Sequence, residues 1–150
     1  MPDAPCILIV DDDRELRHGM TIRLTAGGYR VLTAHDGALG FDAAKKNRPD
    51  AILLDVRMPG TNGLTMLTHL RECQATNRIP VVVISASVED HTRRQAFDLG
   101  ARYFLPKPFR ATDLINALDT VTRRTRPDPQ PRQASGGTTL GPAPTTTLTP

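Results

Sequence analysis

The chain has 150 residues, 39% hydrophobic and 23% charged, a mixture that suits one globular domain with a real core. No stretch approaches the roughly 18–20 uninterrupted apolar residues of a membrane span, and the N-terminal MPDAP lacks the basic-then-apolar order of a signal peptide, so a cytoplasmic protein without membrane contact is expected. The formal charge is +3 with its basic residues scattered, which argues against direct binding of nucleic acid.

Short apolar runs alternate with helix-length amphipathic stretches. Cys6 to Val10 is the first run, and Leu16, Met20 and Leu24 then recur at intervals of four until Gly27-Gly28 ends the helix. Val31 to Ala34 is followed by a weaker stripe over 38 to 46. Ala51 to Leu54 precedes Asn62, a helix cap, with Leu64, Leu67 and Leu70 spaced at three. Val81 to Ile84 precedes a weak stripe over 90 to 99, where Ser87 and Asp90 resemble a capping box. Tyr103 to Leu105 leads to Leu114, Ala117, Leu118 and Val121, a full i, i+3, i+4, i+7 stripe. Runs this short, rich in Ile, Val and Leu and lacking polar alternation, fit strands buried on both faces of a parallel sheet. Strand-then-helix repeats of this kind predict a doubly wound α/β domain over residues 1–125.

From Pro127 onward the composition turns to Pro, Thr, Gly, Gln and Ala with no aromatic residue. Little apolar surface is left there to offset ordering entropy, and 126–150 is expected to be a disordered Pro/Thr-rich tail or linker. Arg123, Arg124 and Arg126 read as a solvated helix end favoured by the helix dipole rather than as a phosphate-binding run. Cys6 and Cys73 read as buried or half-buried thiols rather than a disulfide or metal pair. His18, His35, His69 and His91 have no metal-ligand spacing.

In open parallel sheets the working groups lie at the carboxyl ends of the strands. Here the first strand exits into Asp11-Asp12-Asp13, the third into Asp55, the fourth into Ser85, and the fifth into Lys107 between Pro106 and Pro108. The second exits into His35-Asp36, remote from the others if that strand is at the sheet edge. Clustered carboxylates repel and need a compensating cation, either Lys107 or a divalent metal. Magnesium prefers oxygen ligands and uses one or two carboxylates plus phosphate oxygens. An aspartate is also a competent nucleophile toward phosphorus, and phosphoryl transfer asks mainly for positioning and charge neutralisation. Asp13 and Asp36 are read as helix caps.

The blocks ILIVDDD, LLDVRMPGTNG, VVVISAS and YFLPKPF together resemble the signature of the response-regulator receiver family, over residue 6 to about 124. The resemblance implies a flavodoxin-like five-stranded parallel sheet of order 2-1-3-4-5. It also implies Asp55 as phosphoacceptor, Asp12 as a direct Mg2+ ligand, Asp11 as holder of metal-bound water, and Arg57 as donor of a backbone carbonyl, with Asp55 in the same ligand set. Ser85 matches the hydroxyl that moves to the phosphoryl group, Lys107 the lysine that pairs with phosphate, and Phe104 the aromatic that turns inward. Lys107-Pro108 is a candidate cis peptide. The implied partners are a sensor histidine kinase or histidine phosphotransfer protein and a downstream effector, with a phosphorylation-dependent dimer as a further expectation. Such a chain is a signalling phosphoacceptor that catalyses only its own phosphorylation and dephosphorylation, not an enzyme acting on other substrates.

Asn62-Gly63 stands where the family often has Asp-Gly, and Arg57 and Ser87 border the path of attacking water. An aspartate-nucleophile phosphatase would need an Asp where Arg57 stands. A pseudo-receiver that ignores phosphate would not need the acidic pair, hydroxyl and lysine that are all present.

Overall fold

The computed structural model of the protein describes residues 4–58, 61–86 and 89–125, without the side chains of Thr61 and residues 123–125. The tail or linker expected over 126–150, including Arg126, lies outside the described residues, as does Ser87.

The chain runs β1 (Cys6–Val10), α1 (Arg14–Ala26), β2 (Arg30–Ala34), α2 (Gly37–Asn47), β3 (Ala51–Asp55), β4 (Arg57–Met58), β5 (Thr61–Asn62), α3 (Gly63–Glu72), β6 (Val81–Ser85), α4 (Asp90–Asp98), β7 (Tyr103–Pro106) and α5 (Ala111–Thr125). β2, β1, β3, β6 and β7, in that spatial order, form one parallel sheet. The antiparallel ribbon β4–β5 stands outside it, so the sheet has the expected doubly wound order 2-1-3-4-5. Right-handed crossovers then send α1 and α5 to one face and α2, α3 and α4 to the other.

Side-chain alternation along each strand divides the core accordingly. Ile7, Ile9, Leu53, Val82 and Ile84 pack with Met20 and Leu24 of α1 and with Leu114, Ala117, Leu118 and Val121 of α5. Leu8, Val10, Ile52, Leu54 and Val83 pack with Ala44, Met66, Leu67, Leu70 and Ala96. β1, β3 and β6 are buried along their whole length. β2 and β7 depart from the expectation of burial on both faces because they are the sheet edges: only Ala34 of β2 is fully buried, and β7 exposes Tyr103 and Pro106.

The weak stripes of α2 and α4 have a physical cause. These helices bury small residues, Gly37, Gly40 and Ala44 in α2 and Thr92 and Ala96 in α4, so hydropathy hardly marks their inner faces. Asp13, Asp36 and Asn62 cap α1, α2 and α3, accepting from the N–H groups of Leu16, Leu39 and Leu64. At α4 the capping-box expectation is corrected. Asp90 is the first helical residue and Glu89 the N-cap, without a side-chain capping bond, so Asp90 stands too early in the helix to close a box with Ser87. Both cysteines are free, Cys6 buried and Cys73 half-buried.

Gly40 sets the distance between α2 and the sheet. A Cβ there would lie 2.8 Å from Val10 Cγ2 and 3.0 Å from Met66 Cε. Gly40→Ala gains up to about 1 kcal/mol of helix propensity, but overpacking against a fixed valine costs about 1–3 kcal/mol. The expected outcome is net destabilisation of about 1–2 kcal/mol, read as a lower urea midpoint at unchanged slope; a raised midpoint would contradict this packing.

Candidate functional site

The sheet changes direction between β1 and β3, since β2 lies to one side of β1 and β3, β6 and β7 to the other. A crevice opens at the carboxyl ends of strands at such a switch point. Strand register brings the polar residues there. Val10, Leu54, Val83 and Phe104 are paired across the sheet as one rung, so Asp11 and Asp55 follow on the next rung at neighbouring strand ends. Asp55 and Ser85 are themselves the last residues of β3 and β6, held by ladder hydrogen bonds rather than carried on loops.

The geometry centres on two buried carboxylates and one ammonium. Asp11 is 0% and Asp55 2% exposed. Lys107 Nζ lies 3.3 Å from Asp11 Oδ2 and 3.5 Å from Asp55 Oδ2. The lysine is placed by its own N–H, which donates to the Ser85 carbonyl at 2.8 Å; its peptide bond to Pro108 is cis, as expected. Asp11 Oδ1 accepts the Asp13 N–H at 2.9 Å, and Asp55 Oδ1 accepts the Arg57 N–H at 3.2 Å. Asp12 is exposed, yet one of its carboxylate oxygens lies with one each from Asp11 and Asp55 within a mutual 4.8 Å.

The electrostatics follow from burial. Desolvation and then the Asp11 charge push Asp55 up to about 6, against the opposing pull of Lys107 and of the Arg57 N–H. Three carboxylates against one ammonium leave two negative charges in excess. An all-oxygen donor set with that excess suits a hard divalent cation of the magnesium type. Residues able to hold one are Asp11, Asp12 and Asp55.

Of the other expected site residues, Ser85 is fully buried. Phe104 is buried in the α2–α4 side of the core, with the Arg93 guanidinium 5.7 Å from its ring centre. Arg57 is exposed and pairs with Asn62 in the β4–β5 ribbon. His35 and Asp36 sit past the edge strand β2, paired with each other at 3.6 Å and away from the acidic cluster.

Two residues gain a part that sequence reasoning did not give them. Arg17 donates from Nη1 to the Asp11 carbonyl at 2.7 Å, tying α1 to the end of β1; nothing in a helix pattern marks this arginine out. Gly63, first residue of α3, lies against the backbone of Asp55. A Cβ there would fall 2.3 Å from the Asp55 carbonyl oxygen and 2.7 Å from Val56 Cα. The local sequence Asn62-Gly63 announced a cap and turn but not this approach.

Because Asp55 holds its proton more tightly folded (about 6) than unfolded (3.8), its ionisation opposes folding. The favourable contribution is present below pH 3.8 and is lost as pH rises through about 6, leaving a penalty on the order of 2–3 kcal/mol at pH 8. Without divalent metal, Asp55→Asn is therefore expected to stabilise the protein by about 1–3 kcal/mol at pH 8, a gain that shrinks toward zero near pH 4. Denaturant titrations of both proteins across that range check the sign. Gly63→Ala should do the opposite, destabilising by about 2–4 kcal/mol at all pH values because it collides with backbone.

Residues 7–119 match the family described as the response regulator receiver domain. The response regulator MprA of Mycobacterium sp. strain KMS is 39% identical over 83% of this chain and 54% of its own length. MprA of Mycobacterium tuberculosis strain H37Ra is 38% identical over 81% of this chain and 52% of its own. The chain thus spans about half the length of the curated relatives it matches. Among solved structures, the chemotaxis protein CheY4 of Vibrio cholerae superposes with a TM-score of 0.75 at 29% identity, covering 79% of this chain and 98% of that one. The receiver domain of Francisella response regulator 1452 gives 0.76 at 26% identity, covering 81% and 99%.

Proposed function

The chain belongs to the response-regulator receiver family of two-component signalling, and from that premise we propose that it is a Mg2+-dependent phosphoacceptor whose Asp55 takes a phosphoryl group from a histidine kinase or histidine phosphotransfer protein. The observation that carries the proposal is the bridge of Lys107 Nζ between Asp11 and Asp55 at 3.3 and 3.5 Å, beside a carboxylate cluster with two negative charges in excess.

In this reading an Asp55 carboxylate oxygen attacks the phosphorus of a phosphohistidine. The new O–P bond makes an acyl phosphate, the N–P bond breaks, and the histidine nitrogen keeps the electron pair. Asp55 Oδ1 is held by the Arg57 N–H, so the carboxylate is oriented before the donor arrives. Lys107, already within reach of Oδ2, turns from carboxylate to phosphoryl oxygens, and the Ser85 hydroxyl at the next strand end bonds another of them. Asp11, Asp12, Asp55 and the Arg57 carbonyl would hold Mg2+, which would supply charge neutralisation for the incoming phosphoryl oxygens.

The signal leaves through the face built by α4, β7 and α5. Phe104 is buried in the core next to it, and Phe97 of α4 and Tyr103 of β7 are 43% and 36% exposed. Large hydrophobics left in solvent suit a partner surface, an effector or a second receiver, engaged when Ser85 and Phe104 rearrange. The segment over 126–150 is proposed as a linker or tail beyond this 1–125 domain.

Incubation with Mg2+ and a small acyl-phosphate donor is expected to add one base-labile phosphate, absent in Asp55→Asn and without Mg2+. Lys107→Ala should slow the labelling by about 10²-fold. Phosphate on the Asp55→Asn protein, or equal labelling in chelator, would remove the proposal. Protonation of Asp55 below about 6 competes with metal, so Mg2+ affinity should fall about tenfold per pH unit below that value. Titration of Mg2+ at pH 5 and pH 7.5 by thermal shift reads this; equal affinities would contradict it.

A further inference from the structure

The end of the sheet opposite Asp55 carries a second concentration of charge, of the other sign. An open cleft of about 780 Å3 lies there, lined by Arg48, Asp50, Arg71, Arg78, Gly100 and Arg102 among others, a size within the range of small-molecule sites. The topology gathers the arginines: Arg48 follows α2 ahead of β3, Arg71 lies in the last turn of α3, Arg78 precedes β6 and Arg102 precedes β7.

Arg71 is the fixed member. Its Nη1 donates to the Asn77 carbonyl at 2.6 Å and its Nη2 to the Ile79 carbonyl at 2.8 Å. Its Nε is buried without a hydrogen-bond partner. Gly100, at φ +97, lets the loop after α4 lie over this group, since a Cβ would stand 2.9 Å from Nε. Burial and the nearby charge of Arg102 both weaken the hold of Arg71 on its proton, as expected for a cation crowded by another. Arg48, Arg78 and Arg102 are exposed and able to swing over the cleft. Asp50 is the carboxylate in the lining, and it is engaged by the Cys6 N–H at 2.7 Å. Among the described residues none of the four guanidiniums forms an ion pair.

Exposed arginines are commonly just solvated, and a cluster with a structural task has carboxylates among it. Here four cations converge on one hollow with a single carboxylate, one of whose oxygens accepts the Cys6 N–H, around a half-buried guanidinium fixed by two backbone carbonyls. Planar guanidinium forks match phosphate oxygens, two hydrogen bonds at a time. We propose that this cleft is a second ligand site, for a small anion bearing more than one phosphate group, separate from the acidic site at Asp55.

Calorimetric titration with inorganic tripolyphosphate, in magnesium-free buffer with a chelator, reads the cleft apart from the acidic rim. Saturable binding is expected, retained in Asp55→Asn and weakened at least about tenfold in Arg78→Gln/Arg102→Gln, a variant whose Asp55 labelling stays at the wild-type rate. Arg48→Asn should weaken binding without loss of fold, because asparagine suits the left-handed backbone at that position (φ 45). Adenosine triphosphate as a second titrant separates the sources: tighter binding than tripolyphosphate marks a nucleotide site, equal or weaker binding an inorganic one, and both keep the arginine dependence. The proposal is overturned by absence of saturable heat into the millimolar range, by equal affinity of the arginine variants and wild type, or by a DNA duplex binding more tightly through the same arginines.

Discussion

Asp11 and Asp55 share one ammonium, and that unequal division organises the acidic end of the sheet. Burying a carboxylate is tolerable only when charge and hydrogen bonds compensate it. Lys107 supplies one positive charge at 3.3 and 3.5 Å, and backbone N–H groups of Asp13 and Arg57 supply one bond to each carboxylate. The compensation is incomplete, as the rise of Asp55 to about 6 records. A site held short of neutrality is receptive to a divalent cation.

Holding such a cluster together demands a stiff support. β1, β3 and β6 are buried throughout, so the residues at their ends inherit the order of the core. Gly63 brings the start of α3 onto the Asp55 backbone, and Gly40 lets α2 close on Val10 one residue before Asp11. Arg17 fastens the Asp11 carbonyl from α1. Helices on both faces thereby bear on the same few strand ends.

The parallel sheet also sorts charge along its axis. Carboxylates collect where strands end, and arginines where strands 3, 6 and 7 begin. The net charge of +3 conceals this division, because opposite excesses at the two ends largely cancel in the sum. Composition argued only against a broad nucleic-acid surface; it said nothing of a local hollow lined by four arginines.

Local chemistry was sufficient for much of this. Uninterrupted Ile/Val/Leu runs marked the sheet strands, helical stripes marked α1, α3 and α5, and Asp13, Asp36 and Asn62 were legible as caps, since burial on a regular backbone leaves a periodic trace. The order of polar residues after those runs was also enough to gather Asp11, Asp12, Asp55, Ser85 and Lys107 at one rim. The signal failed where α2 and α4 face the core with glycine, alanine and threonine, and at the start of α4, where Glu89 rather than Ser87 stands at the cap. Contacts between residues far apart in the chain, the closeness of Gly63 to the Asp55 carbonyl, the elevated proton affinity of Asp55 and the convergence of Arg48, Arg71, Arg78 and Arg102 were decided by tertiary structure alone. Desolvation and summed charge depend on what surrounds a group in space, and neighbours in sequence supply only a fraction of those surroundings.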